Sequence, residues 1–235
     1  MEICVLLLAA GSGRRMGGDV PKQYLPVAGE PMIRHTLRHL GGDVRIRWVL
    51  PVLAPGDSYF AEAVQGERFP FKLLSPVTGG KERADSMAAG LASSPIEAQW
   101  IAVHDAARVL PGAEMLKKLF DMAALHGAAV PGLPVSDTIK QVNAEGRVLS
   151  TPKRESLRAV QTPQVVRRDW LQSAIDKAGN EIASHTDDAS VIEAAGYPVY
   201  VSTGDRRNRK ITTPEDIDWL EQELSLIQGK QPEAV

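Results

Sequence analysis

The chain has 235 residues, 43% of them apolar and 24% charged, enough to bury one full core of the α/β kind. A formal net charge of −2 excludes the broad basic surface of proteins that live on nucleic acid or anionic membrane, so any anion must be held locally. The single cysteine, Cys4, excludes an intramolecular disulfide framework and any cysteine-built metal site.

The first apolar run, Ile3–Leu8, follows Glu2 rather than a basic stretch and leads into Gly11-Ser12-Gly13, which predicts a buried strand rather than a secretory signal. No segment approaches the ~20 apolar residues of a membrane span, and a cytoplasmic location is expected. Further strands are predicted at Ile46–Val52, Phe71–Leu74, Trp100–Val103, Ala128–Val130 and Val199–Val201. Helical periodicity falls at Pro31–Leu40, Glu82–Leu91, Ala113–Leu125, Arg167–Ala178, Asp187–Ala195 and Pro214–Leu224. Strands alternating with helices signal crossover units and a mainly parallel twisted sheet, hence an α/β fold. The last helix has Thr213 as N-cap, Pro214 at its first position, and Glu215 and Asp216 in its first turn. A single domain over residues 1–227 and a flexible tail over 228–235 are expected.

The segment 134–163 breaks the alternation. Two short strand-like runs, Thr138–Val142 and Arg147–Ser150, are joined by Asn143-Ala144-Glu145-Gly146 and predict a hairpin arm. A lone hairpin is marginal in water, so Ile139, Val142, Val148 and Leu149 need a surface, supplied either by a partner subunit or by the chain's own domain.

Three clusters carry chemistry. Ala9-Ala10-Gly11-Ser12-Gly13-Arg14-Arg15 after the first strand, followed by Pro21-Lys22-Gln23, lets backbone N–H groups approach a phosphate with two cations in reach. Met16 stands where a dinucleotide fingerprint needs its third glycine, and Glu82 follows Gly80-Lys81 where a P-loop needs Ser or Thr. Gly79-Gly80-Lys81-Glu82-Arg83-Ala84-Asp85-Ser86 forms a second loop at a strand end, with Ser86 able to meet a base or ribose and Glu82, Arg83 and Asp85 also readable as a solvated first turn. Asp105, in His104-Asp105-Ala106-Ala107-Arg108, is the Mg²⁺ candidate, since that ion takes one or two carboxylates and completes its shell with phosphate and water. His104 is expected to be a hydrogen-bonded structural residue.

Seven motifs in order, Ala-Ala-Gly-x-Gly-x-Arg-Met with Pro-Lys-Gln, Gly-Gly-x-x-Arg-x-x-Ser, His-Asp-Ala-Ala-Arg, Asp-Thr-x-Lys, Gln-Thr-Pro-Gln, Thr-Asp-x-Ala-Ser and Lys-x-Thr-x-Pro-Glu-Asp, closely resemble the 2-C-methyl-D-erythritol 4-phosphate cytidylyltransferase family from about Ile3 to Asp218. The resemblance implies a Rossmann-like three-layer domain whose projecting β-hairpin arm builds a homodimer. It implies transfer of CMP from CTP to 2-C-methyl-D-erythritol 4-phosphate, giving CDP-methylerythritol and pyrophosphate on the non-mevalonate route to isoprenoid precursors.

By the same resemblance, Arg15 and Lys22 match the pair that stabilises the transition state, and Arg154 and Lys210 match the residues that position the acceptor, the arm arginine reaching the other subunit's site. Ala9, Ala10, Gly11, Gly13, Gly80, Ser86 and Ala106 fall on nucleotide-binding positions and Asp105 on the metal-proximal carboxylate. Arg108, Thr138, Thr162 and Thr186 fall on the acceptor side. The chain departs from the family pattern at Val109 and in the run Arg206-Arg207-Asn208-Arg209, which carries one arginine more than expected before Lys210. Competing readings are a cytidylyltransferase for another polyol phosphate such as ribitol 5-phosphate, and a nucleotide-binding protein without turnover; an NAD(P) oxidoreductase ranks behind them because of Met16.

Overall fold

The computed structural model describes residues 1–11 and 20–229. Strand β1 (Ile3–Ala9) shows why the fold has three layers. Its alternate side chains Ile3, Val5, Leu7 and Ala9 enter one hydrophobic cluster, and Cys4 and Leu6 enter another on the opposite face of the sheet. Each fully buried aliphatic side chain of this kind contributes roughly 2 kcal/mol.

After β1 the chain passes a short 3₁₀ turn (Lys22–Tyr24) and the small ribbon β2 (Pro26–Val27) and β3 (Glu30–Pro31), then enters α1 (Met32–Leu40). Next come β4 (Ile46–Leu53), a single turn α2 (Phe60–Ala63), β5 (Lys72–Leu73), β6 (Val77–Thr78) and α3 (Arg83–Ser93). The second half runs β7 (Trp100–Asp105), α4 (Ala113–His126), β8 (Ala128–Pro134), β9 (Gln141–Val142), β10 (Val148–Ser150), β11 (Arg158–Val160), β12 (Gln164–Arg167), α5 (Arg168–Ala178), α6 (Asp188–Ala194), β13 (Tyr200–Thr203) and α7 (Pro214–Gln228).

The main sheet has the order β11-β8-β12-β7-β1-β4-β5, with β13 beside β8 and β6 beside β4. β1 runs parallel to β4 and β7, and β13 runs parallel to β8, whereas β12 is antiparallel to both β7 and β8. Helices α1 and α4 cover one face through Ile33, Leu37, Leu116 and Phe120; α3, α5 and α6 cover the other through Met87, Leu91, Leu171 and Ile192. Helix α7 packs Leu220 and Leu224 on a third cluster with Val27, Met32 and Ile211. Its start follows the sequence: Asp216, in the first turn, reaches back to accept the N–H groups of Thr212 and of the N-cap Thr213 at 2.7 and 3.0 Å, which fixes the chain as it enters the helix.

The six predicted helices and the longer strands lie where periodicity put them, with ends shifted by a few residues. β12 was not expected, and α7 continues through Gln228 where the tail was expected to begin. The rest of that tail, residues 230–235, lies outside the described residues. The hairpin exists but is shorter than expected, pairing Val142 with Val148 and Gln141 with Ser150. Within 134–163, β11 joins the main sheet against Gly132–Pro134, so the part that stands away from it is 135–157. Ile139, Val142, Val148 and Leu149 are 39–56% exposed, so within one chain they are covered only in part.

Candidate active site

Because β1 and β7 are parallel and in register, Leu8 opposite Asp105, the segments that leave them emerge side by side. Ala106 donates its N–H to Leu8 O at 3.0 Å and Gln23 Nε2 donates to Ala9 O at 2.6 Å, tying three loops together. The loop before α3 reaches the same rim, as expected for ligand sites at the carboxyl ends of parallel strands. Its backbone approach leaves no room for side chains: a Cβ on Gly80 would lie 2.1 Å from Asp85 Cβ. Ser86 is 3% exposed, and its hydroxyl accepts the Gly80 N–H at 3.2 Å and donates to Glu82 O at 3.2 Å.

These loops enclose a cavity of about 240 Å³. Ala9, Ala10, Gly11, Gly80, Ser86 and Ala106 line it, and so do Lys22, Asp105 and Lys210, although the two lysines are nearly a whole chain apart in sequence. Lys22 Nζ donates to Ile211 O at 3.0 Å, Ile211 N–H donates to Ala107 O at 2.8 Å, and Lys210 Nζ stands 2.7 Å from Asp105 Oδ2. Within the basic run, Arg207 pairs with Asp205 and Arg209 with Asp216, leaving Lys210 as the cation of that run that lines the cavity. Gly13 and Arg15 lie outside the described residues, as does most of the loop that follows them.

Asp105 has a second partner, Arg83, which the sequence left readable either as part of the second loop or as a solvated first turn. Arg83 Nη2 is 3.3 Å from Asp105 Oδ1, and its Nη1 is 2.5 Å from Asp188 Oδ1, with the Asp188 side chain 4% exposed. Burial pushes the Asp105 carboxyl up, but Arg83 and then Lys210 outweigh it and hold it well below the usual carboxylate range. Asp188 goes the other way, burial raising it against the pull of Arg83. Arg83 was visible in the Gly-Gly-x-x-Arg motif; Asp188 carried no signal of its own, since its partner lies 105 residues away.

Among the described residues no group of three or more His, Cys, Asp or Glu side chains is placed to hold a metal ion. A protein-built cage is therefore not present there. A Mg²⁺ ion that arrives on a polyphosphate needs only one or two carboxylates; Asp105 lines the cavity and, with Arg83 on Oδ1 and Lys210 on Oδ2, would take such an ion by giving up one of these contacts.

Other expected site residues lie elsewhere. Thr162 is buried below the rim, where its hydroxyl accepts Asp105 N–H and bonds His104 Nδ1, both at 3.0 Å. Arg108 donates to Asn208 O at 2.9 Å beneath the same loops. Thr138, Arg154 and Thr186 are exposed and do not line the cavity within one chain; Arg154 Nη1 donates to Ser136 O at 3.0 Å. His104 is structural, as expected: it is fully buried and burial pushes it down to about 4.

A larger cavity, about 800 Å³, lies at the opposite end of β7 beside Trp100 and Trp170. Its charged groups are already satisfied, Arg167 by Asp169 and Arg168 by the carbonyls of Ser94, Pro95 and Ala98. The smaller cavity is the one lined by Lys22, Asp105 and Lys210.

The family model described as 2-C-methyl-D-erythritol 4-phosphate cytidylyltransferase matches residues 3–225. The protein of that name from Symbiobacterium thermophilum is 44% identical over 216 residues, covering 92% of this chain and 90% of the relative. The one from Pelotomaculum thermopropionicum is 38% identical over 234 residues, covering 99% and 98%. The crystal structure of the Thermus thermophilus enzyme superposes with a TM-score of 0.76 at 31% identity, over 96% of this chain and 100% of the other. By this match over nearly the whole chain, and by these relatives, the chain belongs to the 2-C-methyl-D-erythritol 4-phosphate cytidylyltransferase family.

Proposed function

We propose that the chain transfers the cytidylyl group of CTP to 2-C-methyl-D-erythritol 4-phosphate, releasing pyrophosphate and supplying the non-mevalonate route to isoprenoid precursors. The observation that carries this is the convergence of Lys22, Lys210 and Asp105 on one glycine-lined cavity at the ends of β1 and β7, in a chain of this family.

The acceptor's phosphate oxygen attacks the α-phosphorus in line, and pyrophosphate leaves. A phosphate monoester dianion is already a competent nucleophile, so the chemistry calls for no general base, in keeping with a buried neutral His104. The obstacle is repulsion between two polyanions, so catalysis rests on positioning and on cations placed where charge develops. Lys22, with Arg15, holds the triphosphate and the leaving group. Lys210 holds the acceptor's phosphate, and Arg154 does so from the partner's arm. Backbone groups of Ala9, Ala10, Gly11, Gly13, Gly80 and Ala106, with Ser86, seat the nucleotide, and Arg108, Thr138, Thr162 and Thr186 shape the acceptor side. Asp105, together with the phosphates, would hold Mg²⁺, which would supply neutralisation of triphosphate charge.

The active form in this reading is a cytoplasmic homodimer joined through the arm 134–163 of a single domain spanning 1–227. The half-exposed Ile139, Val142, Val148 and Leu149 support such pairing. No helix among the described residues is long and apolar enough to cross a membrane.

The test is pyrophosphate release with CTP, Mg²⁺ and a panel of polyol phosphates, with mass spectrometry of the product. Turnover with 2-C-methyl-D-erythritol 4-phosphate at least tenfold above ribitol 5-phosphate is expected; preference for ribitol 5-phosphate, or no turnover with any acceptor, overturns the reading.

A further inference from the structure

Two buried side-chain amides lie outside every role assigned so far. Asn208 is fully buried; its Nδ2 donates to Thr162 O at 2.7 Å, while its Oδ1 has no hydrogen-bond partner among the described residues. Gln161 is 5% exposed and grips the same loop from the other side: its Nε2 donates to Asp205 O at 2.8 Å and Asn208 O at 3.1 Å, and its Oε1 accepts Asp205 N–H at 3.1 Å. Gly204, where the loop begins, passes so close that a Cβ there would lie 2.6 Å from Gln161 Oε1.

A buried amide with an unpaired oxygen costs stability, on the order of 1–3 kcal/mol, so its place calls for a reason. The reason lies two residues on. The loop that Asn208 and Gln161 clamp delivers Lys210 to Asp105 and the carbonyl of Ile211 to Lys22. The corner they clamp it to delivers Thr162 to the Asp105 N–H. Removing the clamp strips the loop of its buried amide anchors before Lys210, leaving Arg108 on Asn208 O, its backbone bridge to Lys210 and the Ile211 bond to Ala107 O to hold a lysine on a flexible stem.

We infer that Asn208, together with Gln161, is a positioning residue that fixes the Lys210 ammonium over the cavity, and that it acts on the reaction through Lys210. This rests on the proposed cytidylyl transfer. Displacement of a cation by about 1 Å costs roughly a hundredfold in such sites, which sets the scale of the effect.

The experiment is a double-mutant cycle. Asn208→Ala should lower kcat about 10- to 100-fold while shifting the KM for CTP less than about threefold. In a Lys210→Met background the same change should cost less than about threefold more, because the group it positions is gone. Full multiplication of the two losses, or an unchanged kcat in Asn208→Ala, overturns the inference. Should Asn208→Ala not fold, Gln161→Met deletes the clamp's outer bonds at near-constant length and is held to the same two criteria. A second arm needs no substrate: hydrogen exchange at the Ile211 amide, bonded to Ala107 O, should rise at least tenfold in either variant at unchanged global stability. Unchanged exchange counts against the clamp. A wild-type chain inactive on CTP and the acceptor removes the functional reading, while the exchange arm still decides the clamp.

Discussion

Lys210 Nζ and Asp105 Oδ2 stand 2.7 Å apart although 105 residues separate them in the chain. This pair joins the end of β7 to the loop before α7, and Arg83 stands on the other oxygen of the same carboxylate. The Lys210 side chain is 41% exposed and that of Asp105 13%, so the ammonium is accessible to an incoming anion while the carboxylate holds it in place. Lys210→Met should lower kcat about a hundredfold, equivalent to roughly 3 kcal/mol in activation, and raise the KM for the acceptor more than that for CTP. Steady-state kinetics with each substrate varied in turn check this; equal effects on both KM values count against an acceptor-side role.

Lys22 is tied to the same loop through Ile211 O at 3.0 Å but sits on the β1 side of the cavity. Lys22→Ala should reduce kcat far more than it weakens CTP binding measured by calorimetry. Parallel losses in the two would assign Lys22 to ground-state grip alone.

Arg154 is exposed on the arm and absent from the cavity of its own chain. If the arm delivers it across a dimer, mixing Lys22→Ala and Arg154→Ala chains restores one intact site per heterodimer. Recovery of about a quarter of wild-type activity in a random mixture is expected. Well-mixed heterodimers that stay inactive exclude an intersubunit site.

His104 gives a pH signature. Its Nε2–H donates to Arg108 O at 2.9 Å and its Nδ1 accepts the Thr162 hydroxyl at 3.0 Å, an arrangement that uses the neutral ring. Its folded pKa is lowered from 6.5 to about 4, so between those values the unfolded chain binds the proton and the folded chain does not. Stability therefore falls as pH drops from 7 toward 4, by about 2 kcal/mol from this residue at pH 5. Urea unfolding at pH 7 and pH 5 should show a smaller pH dependence in His104→Gln by that amount; an unaltered dependence overturns the assignment.

Much of this molecule is legible in its sequence because local rules and tertiary structure agree. The run Ile3–Ala9 is apolar at every position, as a strand covered on both faces must be, and Thr213-Pro214-Glu215-Asp216 spells a helix start that the backbone adopts. The glycines and small residues of the site were visible for the same reason: backbone approach demands them locally. β12 was missed because four residues after a proline carry no readable period. Asp188 and Asn208 were missed because their partners, Arg83 and Thr162, lie 105 and 46 residues away, and no window along the chain contains both members of either pair.

The reversed direction of β12 has a consequence for how the site is assembled. A strand laid head to tail beside its neighbours offers its beginning where they offer their ends, so Thr162 meets the Asp105 N–H there, and β11 returns to the sheet at the same edge. The hairpin, inserted between the end of β8 and β11, springs from that edge too. On the proposed function, the part of acceptor recognition assigned to the hairpin can therefore be lengthened, shortened or lent to a neighbouring subunit by editing one insertion, while the loops that leave β1 and β7 keep their geometry.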